Sequence, residues 1–333
     1  MTDAPANRSG ASDALEMARN DLGRVRNEIA KAIVGLDGVV DELLVALLAN
    51  GHVLLEGPPG LGKTLLVRTL AATLALEFRR LQCTPDLMPG DVTGSVVLTP
   101  DGAGPRFAFA EGPVFTNVLL VDEINRATPK TQAALLEAME EQHVTAGGET
   151  RHLPSPFIVL ATQNPVEMEG TYPLPEAQLD RFMLKVLLTP PDTEELVEIV
   201  RRTTASSQAS PASVLDGASL AAARALVRDI VLAPALLHAL ARTITATHPT
   251  SPDASAEVER LVRYGVSPRG ARSLALAAKA RALLAGRPHV ALVDIQAAFL
   301  PTLRHRLVLS FEAEAEGIDS DTVLASVAPL LEP

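Results

Sequence analysis

The sequence predicts an α/β fold, in which a parallel sheet covered by helices on both faces is followed by a smaller helical domain. Three observations predict it. Short apolar runs alternate with helical patterns up to about Leu188, which is typical of parallel βαβ units. After Pro190-Pro191 nearly every segment is an Ala- and Leu-rich helical pattern. The length of 333 residues also exceeds what one compact core usually holds.

The first part of the chain supplies the predicted core. Residues 1–12 are polar and are expected to form a disordered tail, and a helical pattern follows over 14–32. Thr128 and Pro129 suit the N-cap and first position of a helix that runs to about residue 141. Further helices are predicted over 43–49 and 65–76. Strands are predicted over 52–55, 78–83, 117–121, 157–161 and 182–188.

Two segments of the core have the composition of β-hairpins. Residues 95–112 contain two short apolar runs separated by Asp101-Gly102. Residues 143–153 contain a second pair of runs, separated by Gly147-Gly148. Both segments are therefore predicted to fold as two antiparallel strands joined by a turn.

The second part of the chain is predicted to be helical, with a polar linker over 203–216. The expected helices span 192–202, 217–230, 234–247, 254–264, 269–285 and 291–309. With the boundary near residue 190, the chain divides into a tail and first helix (1–28), an α/β core (29–190) and a helical domain (191–333).

Composition excludes several classes of protein. The net charge of −11 argues against a nucleic-acid partner, because neutralising phosphates requires an excess of Lys and Arg. A single cysteine, Cys83, excludes an internal disulfide and a cysteine-based zinc site. No apolar leader is evident, and no apolar stretch is long enough to span a bilayer. We therefore expect a cytoplasmic protein without a membrane segment.

GPPGLGKT, residues 57–64, matches the phosphate-loop pattern G-x-x-x-x-G-K-[ST]. Glycines allow backbone N–H groups to surround a phosphate, and the following helix directs its positive N-terminus at the anion. Lys63 is expected to contact the β- and γ-phosphates of ATP, and the Thr64 hydroxyl to bind Mg²⁺. The predicted nucleotide-binding residues here are Gly57, Gly60, Leu61, Gly62, Lys63, Thr64 and Leu65. A chance glycine-rich turn is disfavoured, because an apolar strand precedes the loop and an apolar helix follows it.

Two carboxylates, Asp122 and Glu123, follow the apolar run 118–121 directly. A buried carboxylate needs a cation or hydrogen-bond donors, and Mg²⁺ of a bound nucleotide would supply the cation for Asp122. Glu123 could then act as the general base that activates an attacking water. The pair favours hydrolysis over transfer to a substrate, and a solvated acidic turn is the structural alternative.

Two further residues fit this chemistry. Asn164 follows the predicted strand 157–161 and could orient the water, or it could simply form a turn. Arg181 lies between a short helix and the last strand, where it could reach the nucleotide of a neighbouring subunit. A salt bridge to Asp180 or another acid is the alternative role for this arginine.

With these residues in place, the chain resembles the MoxR family of AAA+ ATPases over about residues 30–310. The phosphate loop alone identifies only a superfamily, whereas the longer stretches are more specific. They are GHVLLEGPPGLGKT, LQCTPDLMPGDVTGS, VLLVDEINRATPKTQAALLEAMEEQ, ATQNPVEMEGTYPLPEAQLDRF and GVSPRGARSL. Departures from the family pattern, such as Pro58 and Thr128, remove no catalytic group.

The resemblance implies a five-stranded AAA+ core, a helical lid and roles for individual residues in a nucleotide site. Asp122 and Glu123 would be the Walker B pair, Asn164 sensor 1 and Arg181 the arginine finger. Arg269 would be sensor 2, reaching from the lid to the γ-phosphate. Val34 and Gly35 lie where the family lines its adenine pocket. The two hairpins would face the pore or top of a ring, where clients are engaged, and Arg126 has no settled role.

The resemblance also implies a homo-oligomer, expected to be a hexameric ring with a chaperone-like role. Its client would be a protein with a von Willebrand factor A domain or a metal-dependent enzyme. Alternatives are a nucleotide-gated binding module with slow hydrolysis and a DNA- or chelatase-type AAA+ motor. A motor predicts that the client stimulates hydrolysis, whereas a switch predicts slow turnover that is indifferent to the client.

Overall fold

A computed structural model describes residues 6–101, 104–164, 170–205 and 211–332. Its strands are β1 His52–Glu56, β2 Phe78–Gln82, β3 Gly94–Asp101, β4 Gly104–Glu111, β5 Val118–Asp122, β6 His143–Ala146, β7 Glu149–His152, β8 Ile158–Gln163, β9 Phe182–Leu187, β10 Val262–Tyr264 and β11 Val308–Leu309. The core helices are α1 Ala6–Ala32, α2 Asp37–Leu48, α3 Lys63–Thr73, α4 Pro89–Thr93, α5 Pro129–Glu141 and α6 Glu176–Leu179. The later helices are α7 Thr193–Thr203, α8 Gly217–Asp229, α9 Pro234–Ala246, α10 Ala256–Leu261, α11 Pro268–Leu284, α12 Leu292–Leu303, α13 Phe311–Glu316 and α14 Ser320–Val327.

Five strands form a parallel sheet in the order β2-β5-β8-β1-β9. Every residue of β5 is buried, because helices cover both faces of the sheet. Its side chains alternate between two cores, as the period of a strand requires. Val118 and Leu120 pack in the core formed with α2 and α3, and Leu119 and Val121 in the core formed with α5. The predicted α/β fold class is confirmed.

The two predicted hairpins are confirmed. β3 pairs with β4, and β6 pairs with β7, each in antiparallel register. Gly147 and Gly148 have φ of 62° and 80°, the left-handed backbone that a two-residue hairpin turn needs. Residues 102 and 103, where the first turn was predicted, lie outside the described residues.

The helices after β9 form the second domain, and they pack against the core through α11 and α12. α11 contacts α1 and α2, and α12 contacts β9. Two predicted helices end earlier than expected, at Leu261 and Leu303. Residues 262–264 are β10 instead, which pairs with β11; the β-branched and aromatic residues Val262 and Tyr264 suit a strand. Residues 206–210 of the predicted linker lie outside the described residues.

Helix α1 begins earlier than the sequence suggested. The prediction of a disordered tail is wrong for residues 6–12, which are helical, and residues 1–5 lie outside the described part. Leu22, Val25 and Ile29 are buried in the core, so the helix is anchored by packing. Once it is nucleated, extension toward the N-terminus adds a hydrogen bond for each residue that is fixed.

None of the helices in the described part of the chain combines the length and the apolar character that crossing a bilayer requires.

Candidate functional site

The phosphate loop joins the carboxyl end of β1 to the first turn of α3. Gly60 and Gly62 have φ of 86° and 75°, and a Cβ at either would meet no atom within 4 Å. Their backbone therefore faces open space in a conformation that favours glycine. Gly57 is required for a different reason, since a Cβ there would lie 2.8 Å from the carbonyl oxygen of Leu188.

Lys63 is folded over this loop. It is the first residue of α3, and its Nζ donates to the carbonyl oxygen of Gly57 at 2.6 Å. Burial lowers the pKa of its ammonium group, while the charges of Asp122, Glu123 and Glu56 oppose that shift. A phosphate in the loop would offer this ammonium a charged partner in place of a carbonyl.

Asp122 ends β5 with its side chain mostly buried, and its cation in this structure is Arg80. Nε of Arg80 lies 2.6 Å from Oδ2 of Asp122. Thr162 donates to Oδ1 at 3.3 Å. No local sequence pattern singles out Arg80, because its place beside Asp122 depends on the pairing of β2 with β5.

Glu123 has an unusual backbone for a residue with a side chain, with φ of 56°. Its N–H donates to the Thr162 hydroxyl at 2.9 Å, which fixes this left-handed turn. One carboxylate oxygen, Oε2, accepts from Gln82 at 3.0 Å and from Arg126 at 2.9 Å. Sequence reasoning did not identify Gln82, and it left the role of Arg126 open.

Asn164 directly follows β8, which pairs with β5 in parallel, so the structure brings it to the same edge of the sheet as the acid pair. Its side chain is buried. The residues at this carboxyl edge suit Mg²⁺, because the Asp122 carboxylate and the Thr64 hydroxyl are hard oxygen ligands. Mg²⁺ commonly binds one or two such ligands together with substrate phosphates and water, so no larger cluster of acids is needed.

An apolar cavity of about 290 Å³ opens beside the loop. Its lining includes the predicted pair Val34 and Gly35 together with Gly60, Leu61, Gly62 and Leu65. Leu196 and Ile199 of α7 close its other side, and sequence reasoning missed both because they follow the core in the chain. Apolar walls next to a phosphate loop form a suitable pocket for a nucleotide base.

Arg181 and Arg269 lie at the opposite, amino edge of the sheet. His52 of β1 is in register with Phe182 of β9, so Arg181 precedes the same edge. The phosphate loop follows the other end of β1, about 13 Å away along the strand. The sequence grouped Arg269 with the nucleotide-binding residues, but the structure places it beside Arg181, away from the chain's own Lys63. The cause is the packing of α11 against α1 and α2.

A cleft of about 250 Å³ contains both arginines. Nε of Arg181 donates to Oε2 of Glu140 at 2.9 Å, and Nη2 of Arg269 donates to Oε1 of the same carboxylate at 2.8 Å. The described lining also includes Arg272, Arg306 and Asp180. Four arginines thus face two carboxylates, which leaves the cleft positively charged and suited to an anion.

His52 and Arg306 form the buried floor of this cleft. His52 donates from Nε2 to the carbonyl oxygen of Met139 at 3.2 Å, and its Nδ1 accepts from the N–H of Val159 at 2.9 Å. Burial lowers the pKa of His52 to about 4, so the ring is neutral at pH 7. Arg306 is paired with Asp180 at 2.6 Å.

Two parts of the chain match known domain families. Residues 52–184 match the ATPase family associated with various cellular activities (AAA), and residues 254–327 match the AAA lid domain. The chaperone MoxR1 of Mycobacterium tuberculosis is 40% identical over 96% of this chain and 84% of its own length. The protein MoxR of Methylorubrum extorquens is 34% identical over 87% of this chain and 88% of its own length.

The chain belongs to the MoxR family of AAA+ ATPases.

A crystal structure from Cytophaga hutchinsonii, of a protein described as a candidate ATPase, has the same fold as this MoxR-family chain. The TM-score is 0.91 at 38% identity, over 97% of this chain and 98% of the other. Within the family match, residues 52–184 carry the phosphate loop, the acid pair, Asn164 and Arg181, whereas Arg269 lies in the lid match. The residues of the amino edge therefore come from both domains.

Proposed function

We propose that this MoxR-family chain binds ATP with Mg²⁺ at the carboxyl edge of its sheet and hydrolyses it. Lys63 would contact the β- and γ-phosphates, and the phosphate-loop N–H groups from Gly57 to Leu65 would surround them. Thr64 and Asp122 would hold Mg²⁺, which supplies charge stabilisation for the leaving phosphates. Val34 and Gly35 would contact the base, in the cavity that α7 closes.

Glu123 would act as the general base. It would accept a proton from water as the water oxygen attacks the γ-phosphorus and the bond to the β-phosphate oxygen breaks, releasing ADP. The contacts to Glu123 from side chains in the described ranges, Gln82 and Arg126, both use Oε2, so Oε1 is the oxygen we assign to the water. Asn164 would hold the water from the neighbouring strand end. Arg80, now on Oδ2 of Asp122, would have to share or release that oxygen when Mg²⁺ binds.

The observation that carries the rest of the proposal is the place of Arg181 and Arg269 at the edge opposite to the chain's own phosphate loop. A positively charged pair there can stabilise a transferring phosphate only on another molecule. Repetition of one such head-to-tail contact generates a ring when the rotation closes. We propose a hexameric ring in which each chain's arginines act on its neighbour's ATP.

We further propose that the ring remodels or activates a client protein, one with a von Willebrand factor A domain or a metal-dependent enzyme. Two features support a chaperone-like role. A relative of similar length is named a chaperone. The β3–β4 hairpin also carries exposed apolar side chains, with Leu98 60% and Phe107 79% exposed, which can contact unfolded or partly folded protein.

Mixing two inactive variants tests whether the site is shared between subunits. Arg181→Ala alone should lose turnover by about 10³-fold with its ATP affinity unchanged, because the missing group acts on the transition state. Glu123→Gln alone should lose turnover by about 10²-fold or more. In mixed rings a Glu123→Gln chain supplies its Arg181 to a neighbouring Arg181→Ala chain, whose acid pair is intact. Phosphate release should therefore recover.

The control for this experiment mixes Arg181→Ala with the double variant Arg181→Ala/Glu123→Gln, which should give no recovery. Absence of recovery in the first mixture, with co-assembly verified by mass photometry, would contradict the shared site.

A trap experiment tests the client. Tagged Glu123→Gln, expressed in the native host, should retain ATP and hold its client, and enriched proteins can be identified against wild type. We expect a von Willebrand A-domain protein or a metalloenzyme, and the purified client should stimulate hydrolysis. Enrichment of DNA-binding proteins alone would contradict this part of the proposal.

A further inference from the structure

We propose that Glu140 is a positioning residue, which holds Arg181 and Arg269 together as one phosphate-binding pair for the neighbouring subunit. This inference rests on the shared site proposed above and assigns a part to a residue that the nucleotide motifs do not include. Glu140 lies in the last turn of α5 and does not itself reach the phosphate loop of its own chain, which lies at the other edge of the sheet.

The two arginines reach Glu140 from different domains. Arg181 lies at the end of the core, just before β9, whereas Arg269 is the second residue of the lid helix α11. Each binds its own oxygen of the carboxylate, Arg181 at Oε2 and Arg269 at Oε1. Glu140 thus bridges the two guanidinium groups directly, whereas Asp180, next to Arg181 in the chain, accepts from the Ser267 hydroxyl at the start of α11 at 3.4 Å.

Charge explains why such a bridge is needed. Arg181 and Arg269 face the same cleft as Arg272 and Arg306, and the like charges of these side chains repel each other. Asp180 is already paired with the buried Arg306 and lies 3.8 Å from Nε of Arg269. Glu140 is thus the carboxylate that both trans-acting arginines contact at hydrogen-bonding distance.

The position of Glu140 within its helix argues against a role in helix stability. A carboxylate near the C-terminus of a helix opposes the helix dipole, which favours cations there. Partial burial also disfavours its charge, yet the nearby charges of Arg181 and Arg269 lower its pKa overall. The lowered pKa agrees with a carboxylate that lies between two cations.

The mixing experiment described above isolates this function. Chains that carry Glu123→Gln supply Arg181 and Arg269 to Arg181→Ala chains. This parent donor is compared with a second donor that carries both Glu123→Gln and Glu140→Gln. We expect the kcat of the recovered activity to fall by about 10- to 100-fold, because the arginines remain but lose their mutual geometry. The KM for ATP should change less than twofold, since the acceptor's own phosphate loop is intact.

Matched variants separate positioning from a structural effect. Glu141→Gln makes the same chemical change at the next residue, whose side chain is exposed, and should leave the recovered kcat unchanged. Glu140→Asp keeps the charge on a shorter side chain and should restore part of the kcat. The ATP affinity of the Glu140→Gln donor, measured on its own phosphate loop, should equal that of the parent donor.

Three outcomes would overturn the inference. The recovered kcat could be unaffected by Glu140→Gln, or it could rise, which would mean that Glu140 competes with the phosphate. Glu140→Asp could also match Glu140→Gln in every readout, which would mean that charge is not what holds the arginines. Failure of the parent donor to rescue at all is a different result, because it would contradict the shared site rather than Glu140.

Discussion

The two edges of the central sheet use polar residues in different ways. At the carboxyl edge the groups are partly open to solvent, and the backbone is left-handed at Gly60, Gly62 and Glu123. At the amino edge the floor is buried, and His52, His305 and Arg306 are held by main-chain carbonyl groups. The first edge leaves its groups partly open to solvent. The second edge is a buried platform, formed by His52, His305 and Arg306, next to Arg181 and Arg269.

In the proposed shared site, one chain would carry half of each of two sites. Helix α5 links the halves, since it begins just after Glu123 and Arg126 and ends at Glu140 and Glu141. Its 13 residues span about 20 Å. A single helix therefore connects the acid pair to Glu140, which bridges Arg181 and Arg269.

The largest expected effect concerns the buried platform. Between pH 6.5 and 4 the unfolded chain protonates His52, whereas the folded chain, in which the His52 pKa is lowered to about 4, does not. The contribution of His52 to the free energy of unfolding is thus fully present above pH 6.5 and is lost as the pH falls. The loss should be about 3 kcal/mol by pH 4.

Urea unfolding at pH 7.5 and 4.5 measures this contribution. His305, whose pKa is also lowered by burial, adds a loss of the same sign, so the test compares slopes. His52→Asn should reduce the pH dependence, and His238→Asn, which changes an exposed histidine, should not. Equal slopes for wild type and His52→Asn would mean that the platform does not depend on a buried neutral ring.

The second effect separates the two edges by ligand affinity. Lys63→Ala should weaken ATP binding by about 100-fold, because a charged contact to phosphate is lost. Arg269→Ala should change the affinity of dilute, unassembled chain less than twofold, because this arginine lies at the other edge. Calorimetric titration of both variants with a slowly hydrolysed ATP analogue gives the two values. Similar losses would place Arg269 at the chain's own nucleotide after all.

The smallest effect tests the left-handed backbone of the carboxyl edge. Gly62→Ala should lower the free energy of unfolding by about 1 kcal/mol, since φ of 75° is costly for alanine although space is available. Gly38→Ala in α2 provides the control, because a Cβ there also meets nothing within 4 Å and no positive φ is required. That variant should be neutral or slightly stabilising. Urea unfolding of the pair at pH 7.5 compares them directly, and equal destabilisation would exclude backbone strain as the cause.

Much of the carboxyl edge could be predicted from the sequence because its parts are local. The phosphate loop, the acid pair and the strand-end position of Asn164 each occupy a few consecutive residues, and parallel strands bring their carboxyl ends to one edge. The hairpins were predictable for the same reason, since Gly147-Gly148 determines a turn between neighbouring segments. The tail was predicted poorly, because its helicity depends on the packing of later residues of α1, from Leu15 onward, against the core.

The sequence by itself determined the family, the fold class and the residues gathered at the carboxyl edge, since these depend on short motifs and on the alternation of strands with helices. Only the tertiary structure decided that Arg80 and Gln82 contact the acid pair, that α7 lines the cavity beside the phosphate loop and that Arg269 lies beside Arg181. Arg269 and Glu140 are 129 residues apart in the chain. Their contact depends on strand order and on how the lid packs, which no local pattern specifies.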